Sequence, residues 1–167
     1  MSPPRVCRYT DRVTPSHELL SDLKNIVSTM VNRERALQEV ADLIRNHAGY
    51  RWVGLYDVDH KAGIVRNVVW SGSGAPEYPS FPLTRGLTGA AVAQRQIVNV
   101  GDVSADPRYL TAFGSTRSEI IVPVFDREGT IVVGTIDVES EELNAFNQGG
   151  HDLLRACSAV IQPLWER

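Results

Sequence analysis

Apolar residues near both ends of the chain recur every three to four positions, the spacing of one face of an α-helix. The first stripe covers residues 16–31, and the Thr14-Pro15 pair before it is typical of a helix start. A second stripe predicts a helix over residues 33–47, with Gly49 as a C-terminal stop. A third helix is predicted after Asn147, a good N-cap residue, to about Leu164.

The middle of the chain carries short runs of β-branched and aromatic residues bounded by turn residues, which predicts strands. The predicted strands cover residues 51–57, 64–70, 97–100, 118–125 and 130–140. A short helix is predicted at residues 87–94. Two stretches, residues 71–82 and 101–117, lack periodicity and are interpreted as long surface loops.

Adjacent strands with helices at both chain ends predict an α+β fold, an antiparallel sheet with helices packed on one face. The other sheet face must also be covered, and the two long loops are available for this. Loops over polar groups on a sheet describe a ligand pocket. With 167 residues the chain is predicted to hold a loose tail (residues 1–13) and a single domain (residues 14–167).

The central hairpin places acidic residues on one side of the sheet. Strand alternation points Thr135, Asp137 and Glu139 to one face, and the intervening Ile136 and Val138 to the other. If the loop is only Asp126–Gly129, counting back puts Glu119 beside Ile136. A slip of one residue would turn Glu119 to the opposite face, so the register stays open. In the favourable register three carboxylates gather at one end of two strands.

Composition and charge exclude several classes of protein. Seventeen basic and twenty acidic residues give a net charge of −3, and no basic stripe with interleaved aromatic residues is present, which argues against nucleic-acid binding. No apolar run has the length of a membrane span, and residues 1–8 lack the apolar core of a signal peptide. A cytoplasmic location without membrane attachment is therefore expected.

Cysteine and histidine positions give no sign of a metal, a cofactor or a disulfide. The only cysteines are Cys7, in the predicted tail, and Cys157, on the inward face of the last helix. Their separation and a reducing compartment argue against a disulfide. The four histidines show no metal-ligand spacing with each other or with the cysteines. We therefore expect neither a metal nor a cofactor.

Several motifs in their order and spacing resemble a GAF domain over residues 16–165. The segments that carry the resemblance are W-V-G-L-Y at 52–56, F-P-L-T-R-G-L-T-G-A-A-V-A at 81–93, N-V-G-D-V at 99–103, S-E-I-I-V-P-V at 118–124 and G-T-I-D-V-E-S at 134–140. The resemblance implies a six-stranded antiparallel sheet with the N- and C-terminal helices on one face and a loop-covered pocket on the other.

Within that superfamily the chain looks most like the free methionine-(R)-sulfoxide reductases. The resemblance implies that the pocket for a free amino acid is lined by Trp52, Tyr56, Glu119, Asp137 and Glu139. The family usually has aspartate at the last of these positions, so the glutamate is a conservative departure. Three arginines are further candidates for a ligand carboxylate: Arg85, Arg108 and Arg117.

The chain departs from those reductases at their cysteines. The reductases attack the sulfoxide with a thiolate and resolve the product through a disulfide, and alignment places their three cysteines at Tyr78, Thr88 and Ala112. A threonine hydroxyl lacks the nucleophilicity and the leaving chemistry of sulfur. The fold can therefore be retained without the chemistry.

Three functions remain open. The chain is predicted to be a non-catalytic sensor or regulatory module that binds a small amine-bearing metabolite such as a free amino acid, and that signals through a separate output protein. Alternatives are an enzyme, either a reductase with a non-standard thiol or a hydrolase, and a purely dimerising scaffold domain. In each case a homodimer through the terminal helices is expected, because two-fold dimers are the commonest oligomers.

Overall fold

The computed structural model of the chain describes residues 15–166, and the predicted tail and Cys7 lie outside them. Within that range the helices are α1 (Pro15–Thr29), α2 (Arg33–Ala48), α3 (Gly86–Gln94) and α4 (Gln148–Ile161); the strands are β1 (Trp52–Asp59), β2 (Ile64–Ser71), β3 (Ser80–Pro82), β4 (Val98–Val100), β5 (Ser118–Phe125) and β6 (Val132–Ser140). The six strands form one antiparallel sheet in the order β3-β2-β1-β6-β5-β4. The α+β prediction is confirmed.

Local capping sets the helix ends. The Asn147 side chain accepts a hydrogen bond from the N–H of Gly150 at the start of α4, as the sequence predicted. Gly49 ends α2 in the left-handed conformation, with φ at 67°. The α-helix of α4 ends at Ile161 and not near Leu164, because Pro163 has no N–H to continue the hydrogen-bond ladder. The chain continues as a 3₁₀ turn, Gln162–Trp165.

The last three residues of the stretch at 71–82, predicted to be irregular, form β3 instead. This strand pairs with the edge of β2, with Phe81 opposite Val65. Three residues are too few to show an alternating pattern, and Pro79 and Pro82 read as loop signals in the sequence. The shortened loop, residues 72–79, is called the first covering segment. Residues 101–117 between β4 and β5 are called the second covering segment.

The register of the central hairpin, which the sequence left open, differs from the counted pairing of Glu119 with Ile136. Glu119 lies directly opposite Glu139, and Phe125 lies opposite Val132. The loop is two residues longer than predicted, because the Asp126 carboxylate accepts hydrogen bonds from the N–H groups of Thr130 at 2.6 Å and Ile131 at 3.0 Å. A register irregularity between residues 124 and 125 makes up the remaining offset.

The two faces of the sheet are covered differently. Helices α1, α2 and α4 pack on one face and bury a single apolar core, whose sheet members include Val53, Leu55, Ile120, Ile136 and Val138. The other face carries α3 and the two covering segments. Because side chains alternate along β5 and β6, the residues between those core positions point toward α3 and the loops. Within residues 15–166 no helix combines the length and the apolar character needed to cross a membrane.

Candidate ligand-binding site

Three carboxyl groups converge beneath the covering segments. The direct pairing of Glu119 with Glu139 places both side chains on the same face, and Asp137 follows two residues along β6 on that face. All three are buried, with relative exposures of 7% for Glu119, 3% for Asp137 and 1% for Glu139. They line one small space of about 30 Å³, which we call the acidic cavity.

Hydroxyl groups satisfy two of the three carboxyls. Asp137 accepts hydrogen bonds from Thr135 Oγ1 at 2.5 Å and from Thr88 Oγ1 at 2.9 Å. Glu139 accepts a hydrogen bond from Thr116 Oγ1. Glu119 differs, because no N–H or O–H group within residues 15–166 donates to it. The buried Glu119 side chain therefore faces the cavity with two acidic neighbours and no donor.

Burial and mutual repulsion shift the titration of the cluster. The pKa of Glu119 is raised well above its ordinary value by burial and by the charges of Glu139 and Asp137. Burial raises the pKa of Asp137 to about 7 against the opposing effect of its two hydroxyl donors. Burial likewise raises the pKa of Glu139 to about 7, although Thr116 and Arg51 act in the opposite direction. The empty cluster therefore retains protons near neutral pH, and a bound cation would favour their release.

The two predicted aromatic residues have different positions. Tyr56 lines the acidic cavity, with its ring centroid 6.0 Å from that of Phe81. Trp52 is fully buried beside the cavity and does not line it. The Trp52 indole N–H donates to the carbonyl of Gly74 at 3.0 Å, and its ring packs edge-on against Phe113 at 5.4 Å. Trp52 thus joins both covering segments to β1.

Gly54 is a site-forming residue that sequence reasoning missed. It lies between the two aromatic residues on β1, directly opposite Asp137. A Cβ at this position would overlap the ring of Trp52 and approach Tyr56 Cε2 to 2.9 Å. The glycine therefore lets the Trp52 ring lie flat over the strand. The sequence offered one signal for this role of Gly54. Alternation along the strand puts positions 52, 54 and 56 of W-V-G-L-Y on one face.

We expect Gly54→Ala to destabilise the fold by about 1–3 kcal/mol, because the added methyl group overpacks a buried aromatic contact. The free energy of unfolding measured by urea denaturation tests this. Gly114→Ala is the matched control, since no atom lies within 4 Å of a Cβ built at Gly114. Equal stability of the two variants would show that the Trp52 ring moves aside freely and does not define the site.

The three positions predicted to align with the reductase cysteines all border the acidic cavity: Tyr78, Thr88 and Ala112. None of them carries a thiol. Cys157 lies fully buried in the helix-side core, on the opposite face of the sheet, and burial raises the pKa of its thiol to about 12. Cys157 therefore has neither the position nor the thiolate character required for chemistry at the cavity.

The three candidate arginines do not reach the carboxyls. Arg85 and Arg108 line a neighbouring cleft of about 710 Å³, which shares Gly86 and Leu110 with the acidic cavity. Arg108 is paired with Asp106 at 2.6 Å. Arg117 is exposed and lines neither space. A ligand carboxylate would meet Arg85 or Arg108 by extending past Leu110 into the cleft.

Two residues outside the predicted set support the site through the loops. Thr116 provides the only hydroxyl donor to Glu139 among residues 15–166, and no periodicity in its loop signalled this role. Arg51 lies 5.1 Å from the Phe113 ring centroid, donates to Ser115 at 2.7 Å and pairs with Glu141 at 2.8 Å. Arg51 thereby fixes the second covering segment over the cavity. No group of three or more metal-ligating side chains in the described part of the chain is arranged to hold a metal ion.

The chain is thus an α+β domain with a polar cavity between its sheet and two covering loops. The family model of the GAF domain matches residues 32–161, and the chain belongs to the GAF domain family. It is 27% identical to GAF domain-containing protein A of Dictyostelium discoideum over 135 residues, which span 78% of this chain and 79% of that protein.

Solved structures extend this likeness. The free methionine-R-sulfoxide reductase of Neisseria meningitidis, solved in complex with its substrate, superimposes with a TM-score of 0.82 at 27% identity, covering 99% of this chain and 96% of that one. The type II free methionine-R-sulfoxide reductase of Thermoplasma acidophilum gives a TM-score of 0.74 at 30% identity, covering 86% and 95%. The predicted resemblance to this group of GAF proteins is confirmed.

Proposed function

We propose that the chain is a non-catalytic GAF module whose acidic cavity binds a small metabolite through its ammonium or guanidinium group. Glu119 carries the proposal. No N–H or O–H group among residues 15–166 donates to its side chain, which lies beside two further carboxyls, and a cationic donor would offset their mutual repulsion. Asp137 and Glu139, which keep acceptor capacity beside their threonine partners, would share the remaining donors of a primary amine.

The aromatic wall supports a cation of modest size. Tyr56 and Phe81 line the same cavity as the three carboxyls. A bound cation would therefore gain cation–π attraction in addition to its pairing with the carboxylates. A primary amine has three donors, which is the number of carboxyl groups in the cluster. The relatives solved or characterised as free methionine-R-sulfoxide reductases act on a free amino acid, which supports a ligand of that chemical class for this chain.

Binding requires the covering segments to move. The acidic cavity of about 30 Å³ holds a few water molecules at most and is too small for an amino acid. Leu110 and Gly86 separate it from the adjoining cleft, and Leu110 belongs to the second covering segment. Displacement of this segment would join the two spaces and admit the ligand. In the described conformation the covering segments close over the acidic cavity.

A reductase is the second candidate, favoured by the likeness to free methionine-R-sulfoxide reductases. Its difficulty is the absence of a thiol among the described residues that line the cavity. Thr88 donates its hydroxyl to Asp137 and cannot replace a sulfur nucleophile. We therefore propose that the binding site is kept and the reductive chemistry is lost.

Dimerisation and signalling also belong to the proposal. Helices α1 and α4 pack side by side and leave apolar side chains such as Leu20, Leu153 and Val160 only partly buried. We propose that a homodimer forms across this surface, and that an output protein responds to the closed and open positions of the covering segments. A dimer without any ligand response would favour the scaffold function.

A thermal-shift screen tests the function. The panel contains free methionine, both methionine sulfoxide epimers, other amino acids, small amines and cyclic nucleotides. A ligand at a hundred times its dissociation constant adds about 2.7 kcal/mol, or roughly 5–10 °C in Tm for a domain of this size. We expect the shift with a free amine and its loss with the N-acetylated counterpart of the same compound.

The control compounds distinguish the three functions. A compound that stabilises the protein equally with a free and a blocked amine would contradict the acidic-cavity proposal. Consumption of methionine sulfoxide in the presence of dithiothreitol would establish the reductase. The absence of any shift across the panel would favour the scaffold function.

A further inference from the structure

A second cavity, of about 740 Å³, lies at the edge of the sheet away from the acidic cavity. It is bounded by the end of β5, the turn between β5 and β6, the connection after α3 and one face of α4. Strand β4 pairs only with residues 119–121, so within the described chain residues 122–125 have no strand neighbour on this side. None of its lining residues lines the acidic cavity. We call this space the edge cavity.

The charge of the edge cavity is opposite to that of the protein. The chain has a net charge of −3, yet the lining contains three arginines and a histidine: Arg95, Arg127, Arg155 and His151. One lining carboxylate, Asp126, is engaged by the turn and accepts hydrogen bonds from the N–H groups of Thr130 and Ile131 and from the Thr130 hydroxyl. Asp126 also interacts electrostatically with Arg95, and Asp152 pairs with Arg155, so within residues 15–166 the lining arginine without a carboxylate partner is Arg127.

The arginines are placed to reach a bound group. Arg95 lies 5.8 Å from the centroid of the Phe125 ring and donates to the carbonyl of Gly129 at 2.9 Å, which orients its guanidinium along the cavity wall. Arg155 pairs with Asp152 at 2.9 Å through one nitrogen and leaves its other donors available. Arg127 makes no ion pair with any of residues 15–166. Guanidinium forks recognise phosphate and carboxylate through paired hydrogen bonds.

The rest of the lining is apolar. Ile97, Val122 and Pro123 form one wall, and Phe125 supplies a ring next to the Arg95 guanidinium. A concave site of a few hundred cubic ångströms with an apolar wall and a few convergent charges is typical of small-molecule sites. An inorganic anion alone would leave this wall unused, and a neutral ring compound would leave the guanidinium groups unused.

We propose that the edge cavity is a second binding site, for an organic anion whose phosphate or carboxylate group is attached to a flat ring. The anionic group contacts Arg127 and Arg155, and the ring packs against Phe125 and Ile97. The site is independent of the acidic cavity and of its amine ligand.

Three probe compounds test the charged part and the apolar part of the site separately: phenyl phosphate, inorganic phosphate and phenol. Binding to the full-length chain is measured by calorimetry at low ionic strength. We expect phenyl phosphate to bind at least about tenfold more tightly than either fragment, because only phenyl phosphate uses both the charges and the apolar wall. Equal affinities for phenyl phosphate and inorganic phosphate would overturn the proposal, as would no detectable binding of phenyl phosphate at millimolar concentration.

A charge-matched pair of variants locates the site. We expect Arg127→Ala with Arg155→Ala to weaken phenyl phosphate binding by about tenfold or more. Arg35→Ala with Arg66→Ala removes the same charge from exposed positions elsewhere and is expected to change binding less than about twofold, because distant exposed charges are screened. Similar weakening by both pairs would mean a non-specific charge effect and would overturn the assignment. Unchanged melting temperatures confirm that both double variants fold.

Amide NMR shifts give a second measurement that does not depend on variants. Phenyl phosphate is expected to shift the backbone amides of Gln96, Gly129 and Ser158 and to leave Thr88 and Gly86 unchanged. Shifts confined to the acidic cavity would place the anion elsewhere and contradict the proposal.

Discussion

The double variant Glu119→Gln, Asp137→Asn is expected to lose about 100-fold or more in affinity for any amine ligand of the acidic cavity. Truncating or neutralising a buried partner of a charged group costs 2–5 kcal/mol or more, and two of the three carboxyls are removed here. The size and shape of both side chains are kept, so the cavity keeps its dimensions. Calorimetric titration with the amine found in the ligand screen is the measurement.

The same variant is expected to be more stable than the wild-type chain when no ligand is present. A buried carboxyl surrounded by like charges opposes folding, and the neutral amide removes that penalty. Opposite changes in affinity and in stability are the signature of a site kept for function at the expense of stability. Glu128→Gln with Asp22→Asn removes equal charge from exposed positions and is expected to change neither.

Two results would contradict this account. If the double variant binds the amine as tightly as the wild-type chain, the carboxyls are not the ligand partners. If the double variant is less stable than wild type at pH 8, the cluster is held by interactions that the amides cannot replace. The single variant Glu119→Gln isolates the residue that has no hydrogen-bond donor among residues 15–166 and is expected to account for most of the stability change.

The free energy of unfolding of the empty protein is expected to fall as the pH rises from about 5 to about 8. The carboxyl pKa values near 4 in the unfolded chain rise to about 7 for Asp137 and Glu139 in the folded chain. Between these values the folded state binds more protons than the unfolded state, so stability decreases with increasing pH. The stabilising contribution of the protonated carboxyls is lost as the pH rises through the folded pKa.

Urea denaturation at a series of pH values measures this slope. A shift of one pKa unit corresponds to about 1.4 kcal/mol, so even a fraction of these shifts gives a loss of at least about 1–2 kcal/mol by pH 8. Partly buried carboxyls such as Asp106 and Asp126 have lowered pKa values, and their contribution changes only at more acidic pH. The Glu119→Gln, Asp137→Asn variant is expected to show a clearly shallower slope. Rising stability across the window in the wild-type chain would contradict the proposed protonation of the cluster.

Ligand binding is expected to show the opposite pH dependence. A cationic ligand favours the ionised carboxyls, so its affinity should increase as the pH rises through about 7 and should fall only where the ligand amine loses its own proton. Calorimetry in buffers of different ionisation enthalpy measures the number of protons released on binding.

Much of the site follows from the sequence because it depends on local periodicity. Alternation along β6 by itself put Thr135, Asp137 and Glu139 on one face, and the structure places all three there. The caps at Gly49 and Asn147 were predictable for the same reason, since each depends on residues within one turn of helix. The order of elements sufficed for the α+β fold, and motif spacing for the GAF resemblance.

Other parts of the site depend on contacts between residues far apart in the chain. The pairing of Glu119 with Glu139 was set by the turn that Asp126 forms with Thr130 and Ile131, and composition alone did not predict the length of that turn. The three-residue strand β3 exists only because β2 offers it a partner. The sequence therefore left the register open and did not predict the short edge strand, because the deciding hydrogen bonds join separate segments.

The helices, the longer strands and the acidic face of β6 could be predicted, because neighbouring residues encode these features. The tertiary structure alone decided that Thr88 and Thr116 satisfy two of the carboxyls while Glu119 stays without a donor among the described residues. The tertiary structure also places Trp52 beside the cavity, where it joins both covering segments to β1. Both outcomes depend on where α3 and the second covering segment fold against the sheet, and that placement is fixed by long-range packing.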